Sequence, residues 1–217
     1  MIAMTVPSLG TGAGTETGGF HSVLPAHADF DRLPAEKKLN LFYFQDDAWT
    51  GIPDDAIKIW EVTVDWDSPD DSDIDLVQTL LTTPFDSQFN ASWNDIQQPG
   101  TGSKLDGVPG ALMYRAQYTE WDGHNTVMLN HTVDVDETNH AGVRWYELRE
   151  TSGTWGIHQE STYAPDDQSR WMGSISMDYQ GNIGLAFAIS GSTVYPSIRY
   201  TGRYAGDPLG EMTIDEI

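Results

Sequence analysis

The stretch from Trp171 to Arg203 admits few structures other than a meander of β-strands. Met172–Asp178 alternates, with Ile175 and Met177 on one face and Ser174, Ser176 and Asp178 on the other. That is the two-residue period of a strand with one wet face. Tyr179-Gln-Gly-Asn182 reads as a turn, because Gly and Asn accept the positive φ that a tight reversal needs. Ile183–Ser190 is more continuously apolar, as in a strand buried on both faces. After a second turn at Gly191-Ser-Thr, Val194–Arg203 makes a third strand with Ile198 and Tyr200 on one side.

The same plan occurs twice upstream. Leu24–Phe30, Leu39–Phe44, Ile57–Trp66 and Ile74–Leu81 form one set of four short apolar or alternating runs. Leu112–Trp121, Thr126–Val135, Gly142–Arg149 and Trp155–Tyr163 form another. Pro, Gly, Asp and Asn separate the runs. Helical spacing is scarce; Pro34–Leu39 and Asp54–Lys58 are the places where a helical turn fits. Asp29-Phe30, Gln117-Tyr118 and Asp178-Tyr179 close the three first strands, and Trp60-Glu61 aligns with Tyr146-Glu147 in the third strands. Self-similar four-strand units predict an all-β chain, a β-propeller segment of about three four-stranded antiparallel blades. A β-sandwich also contains many short strands, but the restarting order favours the propeller.

The predicted organisation is a linker or ragged N-terminus over 1–19, then a propeller segment over 20–217. Its blades span about 20–86, 111–165 and 170–217, with a long loop at 86–110. Three blades do not close a ring, since propellers have about four to eight. The remaining blades are expected from the rest of a longer chain or from other copies. The second strands, Leu39–Phe44, Thr126–Val135 and Ile183–Ser190, should be the most buried parts of their units.

Charge bounds the partners. Eleven Lys+Arg against 33 Asp+Glu leave −22, a surface that repels phosphate backbones and excludes nucleic acid as a natural partner. No apolar run approaches the roughly 18 residues of a membrane span. There is no cysteine, so disulfides and thiolate metal sites are ruled out. No nucleophile elbow, phosphate-binding loop or dinucleotide fingerprint occurs.

Several motifs carry a family resemblance. GVRWYELRE, TYAPDDQSRWMGSISMDYQGNIGLAF and VYPSIRYTGRYAGDPLG, with KIWEVTVDWDSP, QPGTGSKLD and LNHTVDV upstream, resemble a family of large secreted bacterial proteins with propeller-like repeats. The resemblance covers roughly Leu24 to Gly210. It implies an extracellular or cell-surface protein and no established reaction. A second, weaker similarity is to sialidase-type propellers, whose blades carry S-x-D-x-G-x-x-W in a turn. Here Ser152, Gly153 and Trp155 stand closer together and the Asp is missing.

In a propeller the loops entering first strands and those joining second to third strands open on one face. On this chain they are Asp46–Asp55, Asp134–His140, Ser161–Trp171 and Ser190–Tyr195, so their acids should gather there. Three readings of the carboxylates compete. Asp134, Asp136, Asp166 and Asp167 are hard oxygen ligands of the kind Ca²⁺ takes; paired carboxylates serve glycoside hydrolysis; and acidic turns also occur as plain solvated surface. The arginines are rarer. Arg170 and Trp171 at the presumed channel mouth, with Arg115, Tyr163 and Arg199, are the candidates for holding an acidic sugar. In so acidic a chain each arginine is otherwise expected to be neutralised by a carboxylate.

The leading expectation is an extracellular binding or surface-recognition segment directed at polysaccharide or a cell-surface glycan, needing no cofactor. A sialidase-like glycoside hydrolase and a structural component of a surface layer or filament are the alternatives.

Overall fold

The computed structural model describes residues 23–28, 38–49, 51–89 and 94–217. The expected N-terminal linker lies outside them, as do Asp29, Phe30 and most of the Pro34–Leu39 turn. The chain is all-β. Eleven strands follow one another: β1 (Leu24–Ala28), β2 (Lys38–Gln45), β3 (Ala56–Thr63), β4 (Asp73–Leu81), β5 (Ala116–Trp121), β6 (His124–Asp134), β7 (Ala141–Thr151), β8 (Thr154–Tyr163), β9 (Ser169–Met177), β10 (Ile183–Ser190) and β11 (Ser197–Arg203). Among the described residues the one helical element is a 3-10 turn at Pro69–Asp71. Asp54–Lys58, one of the two places where a helical turn fits the sequence, is instead the entry to β3, where Ala56 and Ile57 are buried against β2. Among the described residues no helix is long and apolar enough to cross a membrane.

The strands form three antiparallel meanders, β1–β4, β5–β8 and β9–β11. The first two are joined where β1 pairs in parallel with β5, Ala26 opposite Ala116 and Ala28 opposite Tyr118. The result is one eight-stranded sheet, ordered β4-β3-β2-β1-β5-β6-β7-β8, beside a three-stranded sheet, β11-β10-β9. The large sheet curls into a half-barrel, the form of a propeller-like segment. Its concave side holds a core of Phe42, Phe44, Ile57, Ile59, Tyr118, Leu129, Tyr146 and Leu148. The small sheet packs on the outer face of β6 and β7, with Ile175, Leu185 and Phe187 against Met128, Val143 and Trp145. This close approach requires glycine at Gly173, where a Cβ would sit 2.3 Å from Asn130 Oδ1.

The double cover explains a burial pattern that composition hides. Ile183–Ser190 buries Ile183, Leu185, Phe187 and Ile189 on one face, while Gly184 lies exposed on the other, so that run is not buried on both faces. The doubly buried strands are β6 and β7: β6 is buried without a break from Thr126 to Asp134 although it contains Asn130, His131 and Thr132, and β7 from Ala141 to Leu148. Of the polar groups on β6, His131 Nε2 lies 3.0 Å from the Tyr146 hydroxyl and the imidazole stacks on Phe44 at 4.1 Å between centroids, while the Asn130 carboxamide and the Thr126 hydroxyl have no hydrogen-bond partner. Burial drives the His131 pKa down to about 3, so the ring is neutral. Leu39 is 40% exposed because β2 begins at an open rim.

Residues 211–217 run back along β11. Ile214 N donates to Gly202 O, and Tyr200 and Ile217 exchange backbone bonds of 3.1 and 3.0 Å. Glu216 thereby reaches Arg170 and Arg199.

Candidate functional site

Strand direction sorts the loops onto two rims. At one rim β2, β4, β6, β8 and β10 end and β3, β5, β7, β9 and β11 begin. The acidic loops meet there as the sequence implies, but each carboxylate is engaged locally. Asp134 accepts from the backbone of Asn139 at 2.9 Å and of His140 at 3.1 Å, closing its own turn. Asp136 pairs with His140, Asp166 with Arg170, and Asp167 accepts from Gln168. Among the described residues the three acids that converge within 4.8 Å are instead Asp46, Asp47 and Asp55. Asp46 Oδ2 accepts from the amide and hydroxyl of Ser87, both at 2.6 Å, and Asp55 accepts from Asp47 N and Phe85 N, both at 2.7 Å. These two aspartates staple the β2–β3 loop to the segment leaving β4. Burial, reinforced by neighbouring acids, pushes the Asp55 and Asp86 carboxyls above their ordinary value.

Of the arginine candidates Arg170 lies inside the protein, while Arg115 and Arg199 are half-buried. Arg170 is 1% exposed; its Nε bonds Glu216 at 2.7 Å, its Nη1 bonds Asp166 at 2.7 Å, and its guanidinium lies over Tyr163 and Phe187. Trp171 is buried with Phe89, Ile96 and Ala141. Tyr163 donates to Glu216, Arg199 pairs with Glu216, and Arg115 sits half-buried just before β5. Four of the five therefore belong to the packing of the small sheet and its return segment.

The open concavity is at the opposite rim, which sequence reasoning did not single out. A groove of about 540 Å³ lies between the start of β2, the end of β3 and the hairpin ends of β5–β6 and β7–β8. Two-residue turns keep this rim low. Asp122-Gly123 joins Trp121 to His124, and Ser152-Gly153 joins Thr151 to Thr154, with Gly123 and Gly153 at φ +88° and +81°. Such turns need positive φ, which glycine supplies without steric cost. The side chains at the strand ends consequently stand open to solvent.

Trp121 and His124 stack in parallel, 6.3 Å between centroids and 11° between planes. Burial, with the charge of Arg149 nearby, pushes the His124 pKa below 6.5, so the imidazole stays an uncharged ring. Tyr118 and Trp155 form part of the groove wall. Burial, with Glu150 and Glu120, pushes the Tyr118 hydroxyl up to about 12, so it keeps its proton. The polar groups are held in place: Lys38 pairs with Glu61 at 2.9 Å, and Glu150 accepts from Asn125 and from Gly153 N. The stunted Asp-box-like segment Ser152–Trp155 is thus a tight hairpin at the groove edge, and its Trp packs edge-on against Phe42.

Comparison with models of known protein families, with curated proteins and with solved structures finds no match to this chain. The assignment therefore rests on geometry.

Proposed function

We propose that this chain is a binding segment that recognises polysaccharide at a cell surface, through the groove between the β5–β6 and β7–β8 hairpins. The observation that carries this reading is the parallel Trp121–His124 pair on the wall of an open groove of about 540 Å³ whose carboxylates and amides are fixed. The C–H face of a sugar ring packs on a flat aromatic face, while its hydroxyls need donors and acceptors already in place. Lys38, Glu61, Asn125 and Glu150 supply them. An extracellular setting is supported by the motif resemblance, and the charge of −22 suits a solvated surface.

Hydrolysis would use one carboxyl as acid and a second as base or nucleophile. Glu61 and Glu150 are instead tied to Lys38 and to Asn125, an arrangement suited to holding hydroxyls. The test is binding to immobilised polysaccharides together with a reducing-end assay. Retention that is lost in Trp121→Ala, without release of sugar, is the expected result. Release of reducing ends would assign the groove to a hydrolase, and retention unchanged in Trp121→Ala would remove it from the function.

A further inference from the structure

The groove is acidic along its open side. Glu61 near the end of β3, Glu120 near the end of β5 and Glu150 near the end of β7 line it, and Lys38 is the basic residue among the described residues that do so. Three glutamates against one lysine leave the lining at −2. All three acids keep part of their surface in solvent: the Glu61 side chain is 27% exposed, and Glu120 and Glu150 are half-buried. His124 adds no positive charge, because burial and the nearby Arg149 hold its pKa below 6.5. Arg149 is itself bonded to Glu147 at 2.6 Å, so those two charges cancel. Tyr118 on the groove wall registers the remaining field: burial first, then Glu150 and Glu120, push its hydroxyl up to about 12.

The three glutamates stand on different strands and do not form a chelate. Among the described residues the group of three acids close enough to share one ion is Asp46, Asp47 and Asp55, at the opposite rim. Charges spread along a groove match a ligand whose own charges are spaced along a chain. The aromatic wall points to the same sign, since an ammonium is attracted to the face of an indole and an anion is not. An acidic sugar finds no support here. Arg144, Arg170 and Arg203 are buried, hold other partners and do not line the groove.

We propose that the groove takes a polysaccharide built of amino sugars whose amines are free and protonated. This names the ligand class of the groove reading above and rests on it. An ammonium brings three donors to carboxylates that can only accept, and its charge offsets the −2 of the lining. The sugar ring still presents its C–H face to Trp121. Such an amine resembles an α-amino group, with a pKa of about 7.7–8.0, and is mostly protonated near neutral pH. Acetylation removes that charge.

The test is calorimetry near neutral pH in about 0.15 M salt, where a Debye length of about 8 Å screens charges remote from the groove. The probes are β-1,4-linked tetramers of glucose, glucosamine, N-acetylglucosamine and glucuronate, with tetralysine as a cationic peptide. The native chain should bind the glucosamine tetramer about tenfold more tightly than the glucose tetramer, a gain in keeping with two solvent-exposed ion pairs. Glu120→Gln, which removes one of the two net charges and keeps the side-chain shape, should reduce that preference to about threefold. Asp54→Asn, at an exposed acid of the opposite rim, should leave the preference at about tenfold. Equal affinity for the glucose and glucosamine tetramers overturns the amine reading and leaves the groove standing. A preference for the acetylated or the glucuronate tetramer does the same. Tetralysine binding as tightly as the glucosamine tetramer would give the groove to a cationic peptide and overturn the proposal. A preference untouched by Glu120→Gln, or lowered as much by Asp54→Asn, would make it a property of the whole −22 chain and overturn it too. Failure of all four saccharides to bind overturns both readings.

Discussion

The carboxamide of Gln78 forms both backbone hydrogen bonds of Trp155: its Nε2 donates to the Trp155 carbonyl at 2.6 Å and its Oε1 accepts from the Trp155 amide at 2.8 Å. A side chain here does the work of a ninth strand. It bridges β4 and β8, the two free edges of the curled sheet. A second glutamine repeats the device, since Gln117 bonds both the amide and the carbonyl of Met177 and ties the half-barrel to the small sheet.

Gln78→Leu should therefore loosen the seam. It leaves two backbone groups of Trp155 without their partners, a loss of about 1–3 kcal/mol. Gln78→Glu should fall between the two, because it keeps an acceptor for the Trp155 amide and loses the donor to its carbonyl. Chemical denaturation measures the stability, and amide exchange at Trp155 reports the seam directly. A Leu variant as stable and as protected as the native chain would show that the edges are held by something else.

Glu216 fastens the return segment to the small sheet through Arg170 Nε at 2.7 Å and Arg199 Nη1 at 2.6 Å. Burial pushes its carboxyl up, but the bonds from Arg170 and Arg199 outweigh that and hold it below 4.5. A lowered carboxyl contributes stability that is present above its unfolded value and lost as pH falls through the folded one. Glu216→Gln should cost about 3 kcal/mol near neutral pH, at the low end for breaking a buried pair because Asp166 remains on Arg170. The deficit should shrink as pH falls below 4.5, where the native carboxyl also takes up its proton. A deficit independent of pH would mean that packing, not the ion pair, accounts for the loss.

At the acidic rim the sign reverses. Asp86 is held above 3.8 by burial and by Asp46, Asp134 and Glu137. A raised carboxyl favours the folded state when protonated, and that advantage disappears as pH rises from the unfolded value through the folded one. Asp86→Asn keeps an acceptor for the Gln88 amide and removes the charge. It should unfold at a higher temperature than the native chain near neutral pH and at the same temperature below about pH 3.8. Because Asp46 and Asp55 already accept backbone hydrogens, millimolar calcium should shift the midpoint no more than sodium at matched ionic strength. A calcium-specific rise that vanishes in Asp47→Asn would instead assign an ion to Asp46, Asp47 and Asp55.

The strands were legible because alternation and turn residues are local signals. Each of the eleven falls on a run that the sequence marks, with ends displaced by a few residues. The parallel joint of β1 with β5 was not legible: Ala26 and Ala116 carry no local mark of a partner 90 residues away. The gathering of acids at one rim could be read from loop order, but their individual engagement with backbone amides could not. The groove escaped notice because Lys38, Glu61, Trp121 and Glu150 come from separate strands, and the Asp122-Gly123 and Ser152-Gly153 turns were its one visible sign. The expectation that arginines are neutralised suits Arg144 and Arg170. Arg203 instead bonds Gln159 and the Asp207 and Pro208 carbonyls, a choice of neutral acceptors that a sequence with 33 acids cannot display.

The central claim, that glycan binds at the hairpin rim and not at the acidic one, is tested most directly by nitrogen–proton spectra of the chain titrated with a β-1,4-linked glucose tetramer. The account predicts saturable shifts in the Trp121 indole and in the amides of Gly123, Asn125 and Gly153, which line the groove, with Asp47, Asp55 and Asn139 unmoved. Shifts confined to Asp47, Asp55 and Asn139, or a Trp121 indole that stays in place while the probe binds, would contradict it.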